Sequence, residues 1–230
     1  MCEPTVFVVD DDPAVRDSLT AVMKARGQSA EAYRSAEDFL ERWDPRRPGC
    51  LVLDMCLDGM SGLDLQRQLR QRGMRLPVIA ISGYPDVSAA VAAMTEGAIT
   101  YLEKPCHDGE LYRHVLAAID QDRGLRRREA RRLELARRFA KLTGSEQEVL
   151  ARLSDGQPNK QIASEMGLGL RTVELRRAKI LQKVEARSLA ELIRLKLELE
   201  SLSNHGARPS EAKPRPAKPP QAAERPGASA

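Results

Sequence analysis

At 230 residues the chain has room for one large or two ordinary domains. Its 42% hydrophobic and 30% charged residues are those of a globular protein, and no apolar run reaches the length of a membrane span. The N-terminus lacks the charged-then-apolar pattern of a secretory signal. Cys2, Cys50, Cys56 and Cys106 show no CxxC spacing, which argues against a zinc site or a disulfide framework. The expected location is therefore cytoplasmic, with no membrane partner. The net charge of +4 is unevenly spread: −7 over residues 1–122, +8 over 123–202 and +3 over 203–230. An acidic half joined to a basic half implies two domains, with nucleic acid a natural partner for the second.

In chain order, residues 5–9 form an apolar, β-branched-rich run expected as a buried strand. It ends in Asp10, Asp11 and Asp12. Pro13 suits a first helical turn, Val15, Leu19, Val22 and Met23 follow at helical spacing, and Gly27 stops that helix. A weak strand at 29–33 precedes a helix capped by Ser35. Further strands at 51–53, 77–81 and 99–102 alternate with helices at 62–72, 86–96 and 108–122. Five such units predict an α/β doubly wound fold with a five-stranded parallel sheet.

In that fold the strand ends share one rim, where open α/β sheets place their chemistry. The first strand offers Asp10, Asp11 and Asp12, the third Asp54, the fourth Ser82, and the fifth Lys104. Clustered carboxylates suit Mg²⁺ (or Mn²⁺), a carboxylate can accept a phosphoryl group, and a hydroxyl and an ammonium can stabilise its oxygens. Taken singly, each group has a plainer role: an acidic helix start, a turn serine, a surface lysine. Four strand ends carrying the right groups together point to a phosphoryl acceptor at Asp54.

The strings Val9–Asp10–Asp11–Asp12–Pro13–Ala14–Val15–Arg16, Leu53–Asp54 with Met60–Ser61–Gly62, Ile81–Ser82–Gly83 and Tyr101–Leu102–Glu103–Lys104–Pro105 resemble two-component receiver domains over residues 4–122. The resemblance implies a CheY-like sheet in the order 2-1-3-4-5. It also implies phosphorylation of Asp54 by a sensor histidine kinase. Asp11, Asp54 and the backbone carbonyl of Cys56 would ligate Mg²⁺, and Asp10 would act through water. Ser82 and Lys104 would hold the phosphoryl group, and Tyr101 would be the switch aromatic. Leu57–Asp58 stands where many relatives have Met-Pro, which adds a negative charge near the pocket.

Residues 123–141 are rich in arginine over a helical beat of Leu125, Leu133, Ala136 and Phe139, and read as a basic helical linker. Thr143 with Glu146 forms a capping-box pattern. Short helices follow, one ending at Gly156, one at 158–166 and one at 171–184, before a last helix at 188–199. Two short helices around a glycine turn, the second basic, describe a helix-turn-helix. Asn159–Lys160–Gln161–Ile162–Ala163, Arg171–Thr172–Val173–Glu174 and Ser188–Leu189–Ala190–Glu191–Leu192 are similar to the LuxR/NarL-type DNA-binding domain, here 142–202. That likeness implies a recognition helix at 171–184 and a dimer interface on the last helix. The expected contacts to double-stranded DNA are Asn159, Lys160, Arg171, Thr172, Glu174, Arg176, Arg177, Lys179 and Lys183. Arg176 replaces a usual His, Gly169–Leu170 a common Ser-Pro and Ser145 a usual Arg, so DNA preference does not transfer. Residues 203–230 are rich in Pro, Ala and cations, and are expected to be a disordered tail.

The whole resembles the FixJ group of response regulators. The implied protein is a transcription factor, not an enzyme, that forms a homodimer when phosphorylated and can engage RNA polymerase. Two rival readings compete with it: a receiver-type adaptor without DNA binding, and a Mg²⁺-dependent aspartyl-phosphate phosphatase. The phosphatase pattern requires Thr or Val where Ala14 stands.

Overall fold

The computed structural model describes residues 3–84 and 86–204. Contacts divide the chain into two compact units that meet at Arg131 and Arg132, inside the stretch read as a linker. Most of the expected tail, from residue 205 onward, lies outside the described residues.

The first unit alternates β1 (Thr5–Val9), α1 (Pro13–Ala25), β2 (Ser29–Tyr33), α2 (Ala36–Arg42), β3 (Gly49–Asp54), α3 (Gly62–Gln71), β4 (Val78–Ser82), α4 (Val87–Thr95), β5 (Thr100–Glu103) and α5 (Asp108–Phe139). The strands are all parallel, in the order β2-β1-β3-β4-β5. Every residue of β1, β3 and β4 is buried, as expected where helices cover both faces. The two-residue side-chain period splits each strand between two cores. Phe7, Val9, Leu51 and Leu53 meet Phe39 and Leu65 on one face, while Val6, Val8, Val52, Ile79 and Ile81 meet Leu111 and Val115 on the other. Full burial of each such side chain stabilises by about 1.5–3 kcal/mol before conformational entropy is set against it.

The weak edge strand β2 has a specific brace. Arg47 reaches both carboxylate oxygens of Glu31 at 2.6 and 2.8 Å and lies over the Phe7 ring. Helix α1 starts as its sequence predicts, with Pro13 at the first position, and Asp12 caps it by accepting from Ala14 N. The helix expected to close at 122 instead continues through the arginines to Phe139. The shift to charge at 123 changes which faces are solvated but brings no proline, and Gly124 lies inside the helix without the left-handed backbone of a capping glycine.

In the second unit the end of α5 packs with α6 (Gly144–Ser154), α7 (Asn159–Glu165), α8 (Leu170–Val184) and α9 (Leu189–Asn204). Leu135, Val149, Leu150, Ile162, Val173, Ile180, Val184 and Leu192 form its core. Both halves of the Thr143–Glu146 capping box are present. Helices α7 and α8, joined by a short glycine-containing turn, form the helix-turn-helix.

Candidate metal centre and nucleic-acid interface

Strand register brings the acidic groups together. Val9 pairs with Leu53, so the next residues, Asp10 and Asp54, leave adjacent strands side by side. Asp54 pairs with Ile81 and Ser82 with Glu103, which puts Ser82 one step and Lys104 two steps further along the same rim. Gly62 allows the start of α3 to close against this rim, because a Cβ there would lie 2.2 Å from the Asp54 carbonyl oxygen.

The three consecutive aspartates do three different things. Asp10 is fully buried, Asp11 is half-buried, and Asp12 is exposed and caps α1. Carboxylate oxygens of Asp10, Asp11 and Asp54 all lie within 4.8 Å of one another. An all-oxygen donor set of this kind fits a hard divalent cation. Lys104 Nζ donates to Asp10 Oδ2 at 2.7 Å and to Asp54 Oδ2 at 2.5 Å. Burial pushes the Asp10 carboxyl up, against the opposing pull of Lys104. Burial works against the Lys104 ammonium, but its bonds to Asp10 and Asp54 outweigh that and hold its pKa above the ordinary value. Cys56 N donates to Asp54 Oδ1 at 2.9 Å, so both oxygens of Asp54 have a donor. The Lys104–Pro105 peptide bond is cis.

Ser82 is buried beside the acceptor, but its hydroxyl is engaged within its own turn. It donates to the Tyr84 carbonyl at 3.1 Å, accepts from Tyr84 N at 3.2 Å and lies 3.5 Å from Cys56 Sγ. Half-buried Tyr101 donates its hydroxyl to the same Tyr84 carbonyl at 3.5 Å. Asp58 is exposed and is not among the three converging carboxylates. Its loop is tied to α2 by Met60 N donating to Glu37 Oε1 at 3.0 Å. Sequence reasoning missed Glu37, and it also missed Arg16, which donates to the Asp10 carbonyl at 2.7 Å. Neither contact has a sequence signal, since both depend on how a helix is seated against the rim.

The expected DNA-facing residues lie on α7 and α8. Lys160, Arg171, Glu174 and Lys179 are exposed, while Asn159, Thr172, Arg176, Arg177 and Lys183 are half-buried. Ser145, Glu146, Arg176, Lys179, Gln182 and Lys183 line an open cleft of about 500 Å³. Lys183 is not a free cation: it bonds buried Glu146 at 2.6 Å. That ammonium, with the Thr143 N–H, holds the Glu146 carboxyl below its ordinary range.

Two family descriptions match this chain: "Response regulator receiver domain" over residues 6–116 and "Bacterial regulatory proteins, luxR family" over 140–196. Nodulation protein W of Bradyrhizobium diazoefficiens is 42% identical over 202 residues, covering 87% of this chain and 88% of that protein. The transcriptional regulatory protein FixJ of Azorhizobium caulinodans is 40% identical over 192 residues, 84% of this chain and 91% of that one. Among solved structures, the response regulator StyR superposes with a TM-score of 0.80 at 39% identity, over 86% of this chain and 100% of that one. The chain belongs to the FixJ-type response regulators. It is a transcriptional response regulator, with a CheY-like receiver and a LuxR-type DNA-binding domain. Among the described residues, no helix is long and apolar enough to cross a membrane.

Proposed function

We propose that Asp54 accepts a phosphoryl group from a sensor histidine kinase in the cytoplasm, and that this drives receiver dimerisation and binding to specific double-stranded DNA. The observation that carries the proposal is the convergence on Asp54 of Asp10, Asp11 and Lys104. In the transfer, an Asp54 oxygen attacks phosphorus and forms an O–P bond as the P–N bond to the kinase imidazole breaks. The departing nitrogen keeps the electron pair and takes a proton from water.

Asp11, Asp54 and the Cys56 carbonyl would hold Mg²⁺ or Mn²⁺, with Asp10 acting through water; such an ion supplies charge neutralisation for the phosphoryl oxygens. Lys104 exchanges its bond to Asp54 Oδ2 for a phosphoryl oxygen. The Ser82 hydroxyl turns from the Tyr84 carbonyl to another phosphoryl oxygen. Tyr101 donates to that same carbonyl, so the departure of Ser82 changes the bonding of both residues and draws Tyr101 inward. Val87, Val91 and Met94 expose an apolar face on α4 beside this switch, and this face with β5 is the proposed dimer surface. Two α8 helices then enter major grooves about one helical turn apart. Asn159, Lys160, Arg171, Thr172, Glu174, Arg176, Arg177 and Lys179 are the proposed DNA contacts, while Lys183 contributes through its pairing with Glu146.

The test compares wild type and Asp54→Asn, each with and without acetyl phosphate, for dimer formation and for binding to duplexes selected from a random library by the treated wild type. Tighter dimerisation and binding in treated wild type alone is the expected result. Equal binding in all four samples would reject the switch.

A further inference from the structure

Asp122 lies in α5, far in sequence from the acceptor, and is only 2% exposed. A buried carboxylate needs partners to offset its desolvation. It accepts from the backbone N–H of Gly49 at 2.9 Å and from Arg126 Nε at 2.7 Å. The rest of the Arg126 guanidinium caps three consecutive carbonyls: Arg46 at 2.9 Å through Nη1, with Pro45 at 3.2 Å and Arg47 at 2.6 Å through Nη2. One planar fork thus serves a carboxylate and three main-chain oxygens, a pattern that the compact ammonium of lysine cannot reproduce.

The position of this knot suggests a role beyond stability. Gly49 is the first residue of β3, and Asp54 is the last. Gly49 has φ +152°, and a Cβ there would lie 1.8 Å from the Thr5 carbonyl oxygen, so the strand starts in a fixed, side-chain-free contact. Between its ends β3 is buried throughout and paired on both sides, with β1 and β4. An unbroken ladder of pairs thus joins Gly49 at one end of β3 to Asp54 at the other. Arg126 lies beyond the residues that match the receiver family, 6–116, yet within the first compact unit. It belongs to the helix by which the chain continues into the second unit.

We propose that Asp122 and Arg126 clamp the root of this helix to the start of the acceptor strand, so that the phosphorylation state of Asp54 is registered where the chain leaves the receiver. The inference rests on the phospho-switch proposed above and names its route. Coupling of this kind requires an element that both sites bias. Here that element is β3, with the acceptor at one end and the clamp at the other.

The test uses the full chain with Arg126→Lys and Arg126→Ala. The lysine variant keeps a cation beside Asp122 but loses the fork; the alanine variant removes both. Three quantities are read in each folded variant: Asp54 phosphorylation by acetyl phosphate, amide hydrogen exchange over residues 123–131, and affinity for the selected duplex with and without the phosphodonor. Phosphorylation should be unchanged. Exchange over 123–131 should quicken by about tenfold or more as the helix root opens locally. The ratio of treated to untreated affinity should fall at least about fivefold toward unity, and further in Arg126→Ala than in Arg126→Lys. A purely structural clamp would lower the melting temperature and leave that ratio intact below it, which would overturn the inference. A wild type whose binding ignores acetyl phosphate overturns the phospho-switch and the inference with it. A stimulated wild type with equally stimulated variants overturns the inference alone.

Discussion

In the first unit, the groups around Asp54 come from strand ends far apart in the chain; the Lys104–Asp10 bond spans 94 residues. In the second, Arg171, Thr172, Glu174, Arg176, Arg177, Lys179 and Lys183 lie on one fifteen-residue helix. The receiver buries its chemistry: Asp10, Asp54 and Ser82 are at most 5% exposed. The helical unit buries a nearly all-apolar core and keeps most of its cations at the surface. A buried polar cluster is all-or-none, because removing one member leaves the others desolvated and unpaired. A surface row of cations loses affinity by degrees.

That contrast sets the order of expected effects. Asp54→Asn should abolish covalent labelling by acetyl phosphate, measured on the intact chain by mass, while untreated DNA binding stays at the wild-type level. Leu192→Ala, at a fully buried position, should cost about 2–5 kcal/mol in the helical unit. DNA binding should then fail while Asp54 still labels, read as a separate low-denaturant step in urea unfolding; loss of labelling would break the division into two independent units. Lys104→Met leaves Asp10 and Asp54 facing each other without their shared cation. The receiver should lose about 3–5 kcal/mol in chelator, with Mg²⁺ restoring part of it, as followed by thermal melts with and without the ion.

Smaller effects are expected in the helical unit. The Glu146 carboxyl is held below its ordinary range by Lys183, so its contribution to stability is complete above the unfolded carboxyl value of about 4.3. That contribution is lost as pH falls through the lower, folded value. Glu146→Gln should therefore flatten the acid limb of the stability profile while lowering the neutral plateau. Gly169 precedes α8 without a side chain to cap it. Gly169→Ser should stabilise the unit by about 0.3 kcal/mol, since a Cβ there meets Thr172 Oγ1 at an ordinary 3.7 Å. A loss of stability instead would show that the turn, and not the cap, governs the start of α8.

Legibility in the sequence followed the same divide. Local signals are readable wherever the physics is local: Pro13 opening α1, Thr143 with Glu146 opening α6, and the apolar runs that form β1, β3 and β4. Helix α5 runs past 122 because a change of composition marks a change of solvation, and Gly124 ends a helix only where packing lets it turn left-handed, which it does not do here. The acidic triplet was legible as a group. Its division into a buried Asp10, a half-buried Asp11 and an exposed cap at Asp12 was not, because successive residues leave a strand end in different directions.

By itself the sequence determined the alternation of elements, the parallel sheet that follows from it, the helix-turn-helix and the identity of the groups at each strand end, because hydrophobic period and capping chemistry act over a few residues. The strand order 2-1-3-4-5 is what the resemblance to receiver domains implies. Tertiary structure alone decided which of those groups touch. Register placed Asp10 beside Asp54, and helix seating brought Glu37 to Met60 and Arg16 to Asp10. It also tied Lys183 to Glu146 and gathered Gly49, Asp122 and Arg126 into one knot. Most of these contacts join residues far apart in the chain, and their partners are chosen by packing geometry, which no local pattern encodes.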